Sequence, residues 1–313
     1  GSLSAVGKLG LRALLYFEAM TTLVLLLSVG AALLLEPGRG LPFTLTAEDE
    51  HLVSSYASNA HLLHGQGVTG FILSVIPRSP VAAFAEGNIL QILFFAILIG
   101  CCLSHVGEAG APVTRLIDSL SIVFSRMMRI IIATAPLGVF GAVSATIAHY
   151  GVGAITHLAS FVALYFIAIA VFIVVILGGC LLLCGVPPLR FARYFREELL
   201  IVTATTSSDS VLPSIMAKLE GMGVSRQVVG LVVPAGYSLN LDALSIYLGL
   251  AVVFLANVTG THLTTLQMLS MLATALITSK GSHGVPGIAI VVLAATLAAA
   301  PSIPLSSLVL LLA

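Results

Sequence analysis

Between Arg196 and Gly287 lie three apolar stretches, each broken near its middle by polar or helix-disrupting residues. The interruptions are Thr205-Thr206-Ser207-Ser208-Asp209-Ser210, then Asn240-Leu241-Asp242, then Ser279-Lys280-Gly281-Ser282-His283-Gly284-Val285-Pro286-Gly287. In hydrocarbon an unpaired polar group is costly, so breaks of this kind persist only where they line a cavity or meet a solute. Together they read as one binding site for a small charged solute.

Hydrocarbon is the expected medium. The chain is 58% hydrophobic and 8% charged with a mean hydropathy of +1.13, whereas soluble domains carry about 25% charged residues. An all-α polytopic membrane protein is therefore expected. The formal net charge is zero, so no basic balance argues for nucleic acid. Cys101, Cys102, Cys180 and Cys184 stand in apolar runs without His or carboxylate at ligand spacing, and are expected to be small buried residues rather than a disulfide or a metal site.

Lys8 and Arg12 precede a first apolar run from Ala13 to Leu35, interrupted by Glu18. At ~1.5 Å per residue this run is about 34 Å long, enough to cross a bilayer. Glu18 either snorkels to the interface or faces a site in the protein interior. Residues 36–80 are rich in Pro, Gly and acidic residues and are expected to form an extracytoplasmic loop. Further spans are expected over Ala82 to Leu103, Val113 to Ile147 and Ile155 to Val186, with Pro136 marking a kink or a boundary. With four spans, Lys8, Arg12, Arg115, Arg190, Arg193 and Arg196 fall on one side, which the excess of positive charge makes cytoplasmic.

Residues 196–220 have basic flanks at both ends, so this segment is expected to enter and leave on the cytoplasmic side as a re-entrant hairpin. Its second half-helix is expected to start near Ser207 to Ser210, where free N–H groups and the positive dipole end favour an anion. Residues 226–258 are long enough to cross but contain Pro234, Gly236, Asn240 and Asp242. Unwound carbonyls beside a carboxylate suit Na⁺ or a proton. Residues 263–300 mirror the first hairpin from the opposite face, and Lys280 near their tip either meets an anionic solute or snorkels outward. Two interrupted segments of opposite entry around a broken span are the trace of an inverted repeat with its site near the midplane. A last helix starts within 303–313 and ends at Ala313 while still apolar, so the sequence is expected to be truncated.

Arg196-Glu197-Glu198-Leu199-Leu200-Ile201-Val202, the Thr206-to-Ser210 tip, Gly236-Tyr237-Ser238-Leu239-Asn240-Leu241-Asp242, Ser279-Lys280-Gly281 and Gly284-Val285-Pro286-Gly287 together resemble the dicarboxylate/amino acid:cation symporter family. Leu14-Leu15-Tyr16-Phe17-Glu18 and Ala85-Glu86-Gly87-Asn88-Ile89-Leu90-Gln91 are similar to its bacterial C4-dicarboxylate branch. The resemblance spans essentially the whole chain. It implies a glutamate-transporter-like fold with two opposed re-entrant hairpins and a broken transmembrane helix. Residues 1–186 would be mainly scaffold and 187–313 the transport core, in a homotrimer of the bacterial inner membrane. It further implies substrate contacts from Thr206, Ser207 and Ser208 at the inner tip and from Val285, Pro286 and Gly287 at the outer tip. Cation coupling would fall to Thr21, Gly236, Ser238, Asn240, Asp242, Ser279, Lys280 and Ser282, with Na⁺ or a proton at Asn240 and Asp242 and no other cofactor. Ala243 and Leu244 replace the family's Gly and Thr after the Asp, and Ile288 and Ala289 stand where small Ser and Gly are usual.

The leading functional expectation is a symporter importing a small dicarboxylate such as succinate, fumarate or malate. The same pattern admits an acidic amino acid, glutamate or aspartate. An intramembrane serine hydrolase with Ser207 or Ser208 as nucleophile would need a nearby base among Asp209, Asp242 and Lys280, and no G-x-S-x-G elbow surrounds these serines. A nonfunctional or regulatory fragment is the third reading.

Overall fold

A computed structural model describes residues 3–41, 79, 81, 89–205, 208, 211–280, 288–297 and 302–312. Its regular structure is helical throughout these residues: α1 (Leu3–Leu35), α2 (Ile89–Val106), α3 (Ala111–Ala133), α4 (Ala135–Tyr150) and α5 (Val152–Val171). A π-helical turn (Phe172–Leu177) carries α5 into α6 (Gly178–Leu183). Then come α7 (Pro188–Tyr194), α8 (Arg196–Thr205), α9 (Leu212–Gly221), α10 (Arg226–Leu239), α11 (Asp242–Val258), α12 (Thr265–Thr278), α13 (Ile288–Leu297) and α14 (Val309–Leu312).

Three of the described helices are long and apolar enough to cross a membrane: Gly7–Leu35, Ile155–Leu183 and Arg226–Val258. The expected span from Val113 to Ile147 is instead two helices meeting at Thr134. Pro136 stands in the first turn of α4, where its missing N–H is harmless, while its ring would collide with the carbonyl of Ile132 if α3 ran on. The expected span from Ala82 to Leu103 lies partly outside the described residues. The four-span count that set the orientation is therefore not reproduced by four unbroken helices.

Helix α11 is the centre of the packing. Ile246, Leu248, Leu250, Ala251, Phe254 and Leu255 are each 0% exposed, as befits a helix apolar all round. Along one side runs α1, burying Val24, Leu25 and Ala32. The two helices approach closely at Gly249, where a Cβ would fall onto Ser28 Oγ and lie 3.0 Å from Ser28 Cβ. On another side α5 stacks Phe161 on Phe254 at 5.0 Å between ring centroids, with Tyr247 in edge contact with Phe161 and Tyr165. Met271 and Ala275 of α12 and Val292, Leu293 and Leu297 of α13 close the core. Beyond the end of α1, Asn257 Nδ2 donates to Pro37 O at 2.9 Å. There Gly38 adopts a φ of +83° directly against Phe254 and Val258, a position that excludes any side chain.

By contrast, α3 and α4 leave most of their apolar side chains uncovered, among them Ile122, Phe124, Leu137 and Phe140. This distribution suits lipid or partner-facing helices, which find apolar neighbours outside their own chain. The cysteines are free and, contrary to expectation, mostly outward: Cys101, Cys102 and Cys184 are exposed and Cys180 is half-buried. A thiol on a helix facing hydrocarbon needs no protein around it.

Helices α8 and α9 form an antiparallel pair of ten residues each. Each is about 15 Å long, half of a ~30 Å hydrocarbon core. The second helix is described from Leu212, later than Ser207 to Ser210, with Pro213 in its first turn, where Pro is favoured. At the base of the pair Lys218 Nζ donates to Glu198 Oε2 at 2.7 Å and to Tyr194 O at 3.2 Å, and Ser214 Oγ donates to Glu198 Oε1. Helices α12 and α13 form a second pair. Its base is held by Thr261 Oγ1 donating to Ser302 O at 3.3 Å and Gln267 Nε2 to Ser302 Oγ at 3.4 Å. Thr264 and Gln267 cap α12 reciprocally.

Two measurements probe this packing. Gly249→Ala is expected to cost about 1–3 kcal/mol through overpacking, and Ser28→Ala in the same chain to recover part of it, both read from melting midpoints in detergent. The Lys218 and Ser214 hydrogen bonds hold the Glu198 carboxyl down at about 2, from an ordinary 4.5. A depressed carboxylate adds stability above its unfolded pKa and loses it as the pH falls toward the folded one. Melting midpoints of wild type and Glu198→Gln should therefore stand apart above about pH 4.5 and converge as the pH approaches about 2. A gap that stays constant over that range would show that this carboxylate does not clamp α8 to α9.

Candidate functional site

The site is built where α10 gives way to α11. Pro234 lies inside α10 and supplies no N–H to the helix. At Gly236 a Cβ would lie 3.1 Å from Phe17 Cζ, so glycine eases the close approach of α10 to α1. The helix ends at Leu239, Asn240 and Leu241 adopt non-helical backbone, and α11 restarts at Asp242. The C-terminal end of one helix thus faces the N-terminal end of the next, leaving carbonyls of α10 outside regular hydrogen bonding.

Two side chains of the break turn toward each other: Asn240 Nδ2 donates to Asp242 Oδ2 at 2.9 Å. The amide oxygen of Asn240 is left facing α1, where Thr21 Oγ1 lies 3.2 Å away, and the same hydroxyl lies 2.9 Å from Phe17 O. Thr21 is 0% exposed and has one proton to donate, so the two acceptors compete for it. From the turn after α12 comes the fourth member, as Lys280 Nζ donates to Thr21 Oγ1 at 3.1 Å and pairs with Glu18 Oε1 at 3.1 Å. The result is a continuous line, Glu18–Lys280–Thr21–Asn240–Asp242, drawn from three parts of the chain that are far apart in sequence.

One atom on this line stands apart: Asp242 Oδ1 is buried and has no hydrogen-bond partner among the described residues. A buried acceptor left unpaired costs about 1–3 kcal/mol, more when charged. Hydroxyl, amide and carboxylate oxygens collected beside helix-end carbonyls are hard donors that fit Na⁺ or a proton.

Other expected site residues are placed differently. Gly236 acts through its contact with Phe17 and Ser238 is exposed. Ser279 is buried, but its hydroxyl donates back to Leu276 O at 3.3 Å, within its own turn. Lys280 neither snorkels outward nor pairs directly with Asp242. It reaches the carboxylate only through Thr21 and Asn240. Ser208 is exposed in a bend between α8 and α9. Thr206, Ser207, Ser282, Val285, Pro286 and Gly287 lie outside the described residues, so the meeting of the two tips does too. The pairing of Glu18 with Lys280 was not foreseen. Its signal was a carboxylate and a lysine each isolated in an apolar run, with nothing local to join them.

The chain is similar to known proteins over its whole length. The profile of the Sodium:dicarboxylate symporter family matches residues 1–313. C4-dicarboxylate transport protein 2 of Ralstonia nicotianae is 50% identical over 312 residues, covering 100% of this chain and 70% of that protein. C4-dicarboxylate transport protein 1 of Pseudomonas paraeruginosa is 48% identical over 312 residues, with the same coverage. C4-dicarboxylate transport protein of Paraburkholderia phymatum is 47% identical over 310 residues, 98% of this chain and 71% of that protein. Oxygen ligands gathered at a broken apolar helix fit a carrier better than a catalyst, and with a match over its entire length this chain belongs to the sodium:dicarboxylate symporter family.

Proposed function

We propose that this protein is a secondary active symporter of a bacterial inner membrane that imports a small C4-dicarboxylate together with Na⁺ or H⁺. The observation that carries the cation half is Asp242 Oδ1, buried without a partner among the described residues and held next to Asn240 and Thr21 at the helix break. A cation or proton at that oxygen supplies the missing partner. Lys280 adds a positive charge on the outer-hairpin side, tethered by Glu18 and Thr21.

In this reading the pair α8–α9 enters from the cytoplasm and the pair α12–α13 from outside, and neither crosses. The inner tip, Thr206, Ser207 and Ser208, offers hydroxyls and N–H groups to the substrate carboxylates. The outer tip, Val285, Pro286 and Gly287, covers the substrate with backbone and opens as a gate. Residues 187–313, with both hairpins and the broken helix, move as a transport core against a trimeric scaffold, so that the site faces each side in turn. The family's chemistry, with two carboxylates on the substrate and a cation driving them, supports C4-dicarboxylates, and an acidic amino acid is the comparison substrate for the test. A serine hydrolase gains no support, because Asp242 and Lys280 are engaged with Asn240, Thr21 and Glu18 rather than with a serine.

Reconstituted into liposomes, the protein should accumulate labelled succinate when an inward Na⁺ or proton gradient is imposed, and should do so faster than it accumulates aspartate. Uptake indifferent to both gradients would remove the coupling claim. Asp242→Asn should reduce gradient-driven uptake to background. Thr21→Ala should raise the half-saturating cation concentration about 10-fold, the equivalent of one hydrogen bond of about 1.4 kcal/mol. Unchanged cation dependence in both variants would move the coupling site elsewhere.

A further inference from the structure

The short helix α7 and the base of the α8–α9 pair enclose an open cleft of about 450 Å³ lined by Arg190, Arg193, Tyr194, Arg196, Glu197 and Lys218. Its cations are unequally occupied. Lys218 is bound to Glu198 at 2.7 Å and lies 3.7 Å from Glu197, with the Tyr194 ring 5.5 Å away. The guanidinium groups of Arg190, Arg193 and Arg196 have no carboxylate within ion-pair distance among the described residues. Arg190 and Arg193, three residues apart, share one face of α7, and Arg196 opens the next helix on the same cleft. Three adjacent forks with no carboxylate partner among the described residues, around a space of this size, form a receptor for an oxyanion that accepts several N–H bonds at once.

What adjoins the cleft selects the source of that oxyanion. Leu183 at the end of α6 is 90% exposed and Leu189, next to Arg190, is 82% exposed. Leu182 beside them is also uncovered. They stand at the end of a helix long and apolar enough to span a bilayer, and on the membrane reading of the chain that end falls where lipid headgroups meet acyl chains. A soluble phosphate would use the guanidinium groups and leave the leucines bare. A glycerophospholipid uses both.

We propose that this cleft is a binding site for an anionic glycerophospholipid, its phosphate held by Arg190, Arg193 and Arg196 and its acyl chains lying along Leu182, Leu183 and Leu189. Because α7 and the α8–α9 pair both line the cleft, the headgroup ties the end of the α5–α6 span to the base of the inner hairpin. The site rests on the membrane reading of the chain but not on the identity of the substrate or the coupling ion.

The test uses the purified protein in a neutral detergent and measures lipid retention by native mass spectrometry and melting midpoint on adding phosphatidylglycerol, phosphatidylcholine or inorganic phosphate. Phosphatidylglycerol should be retained about 10-fold more than phosphatidylcholine and should raise the midpoint, with the preference weakening as salt is added. The triple variant Arg190→Gln, Arg193→Gln, Arg196→Gln should lose that preference, while Arg115→Gln with Arg126→Gln, which removes charge from α3, should keep it. If the triple variant does not fold, Arg193→Gln alone should lower the preference about threefold. Equal retention of the two lipids, or an undiminished preference in the folded variants, would overturn the proposal. So would inorganic phosphate giving the same midpoint rise as phosphatidylglycerol, since the leucines would then have no role. None of these results depends on transport, so a loss of succinate uptake elsewhere leaves them readable.

Discussion

The hydrogen bonds that tie the broken helix to α1 are the constraint on which the rest of this structure depends. A helix can stop inside a membrane only if something other than water takes up the groups it releases. Here Thr21 faces Asn240, Asn240 holds Asp242, and Lys280 closes the line from the other hairpin. Among the described residues one carboxylate oxygen on this line, Asp242 Oδ1, has no partner.

The packing exists to keep that line in register. Helix α11 is buried on every side, and glycine at 249 lets α1 run against it without a side chain between them. Glycine at 236 does the same for α10 and Phe17. A shift of α1 by even one residue would carry Thr21 off Asn240, because successive positions on a helix are about 100° apart around its axis. The Pro37 and Gly38 contacts with Asn257, Phe254 and Val258 hold the far end of the same helix. Interior density and site geometry are thus two consequences of the same few close approaches.

Outside this core the molecule follows a different rule. Helices α3 and α4 leave large apolar side chains uncovered, and the α8–α9 pair is held chiefly through one clamp of Glu198 with Ser214 and Lys218. Polar clamps at hairpin bases and apolar contacts toward lipid leave those elements less tied to α11 than α1 is. The described chain thus divides into a dense group around α11 and elements with fewer ties to it.

Apolar composition, the positions of the interruptions and the Pro and Gly residues beside them were enough to give a helical membrane protein, a break at Asn240–Leu241 and, at Pro136, a kink or a boundary that the structure makes a boundary. Each of these follows from local physics: hydropathy, a missing N–H, an absent Cβ. Asp242 stood out for the same reason, as a charge in an apolar run. Sequence alone did not pair Glu18 with Lys280, turn Ser279 back onto its own helix, leave Ser238 outside the network or set the cysteines on outer faces. Those outcomes depend on which face of each helix meets which neighbour, and residues more than two hundred positions apart settle that by packing. Periodicity shows that a helix has faces; only the contact between Ser28 and Gly249, and others like it, decides where each face points.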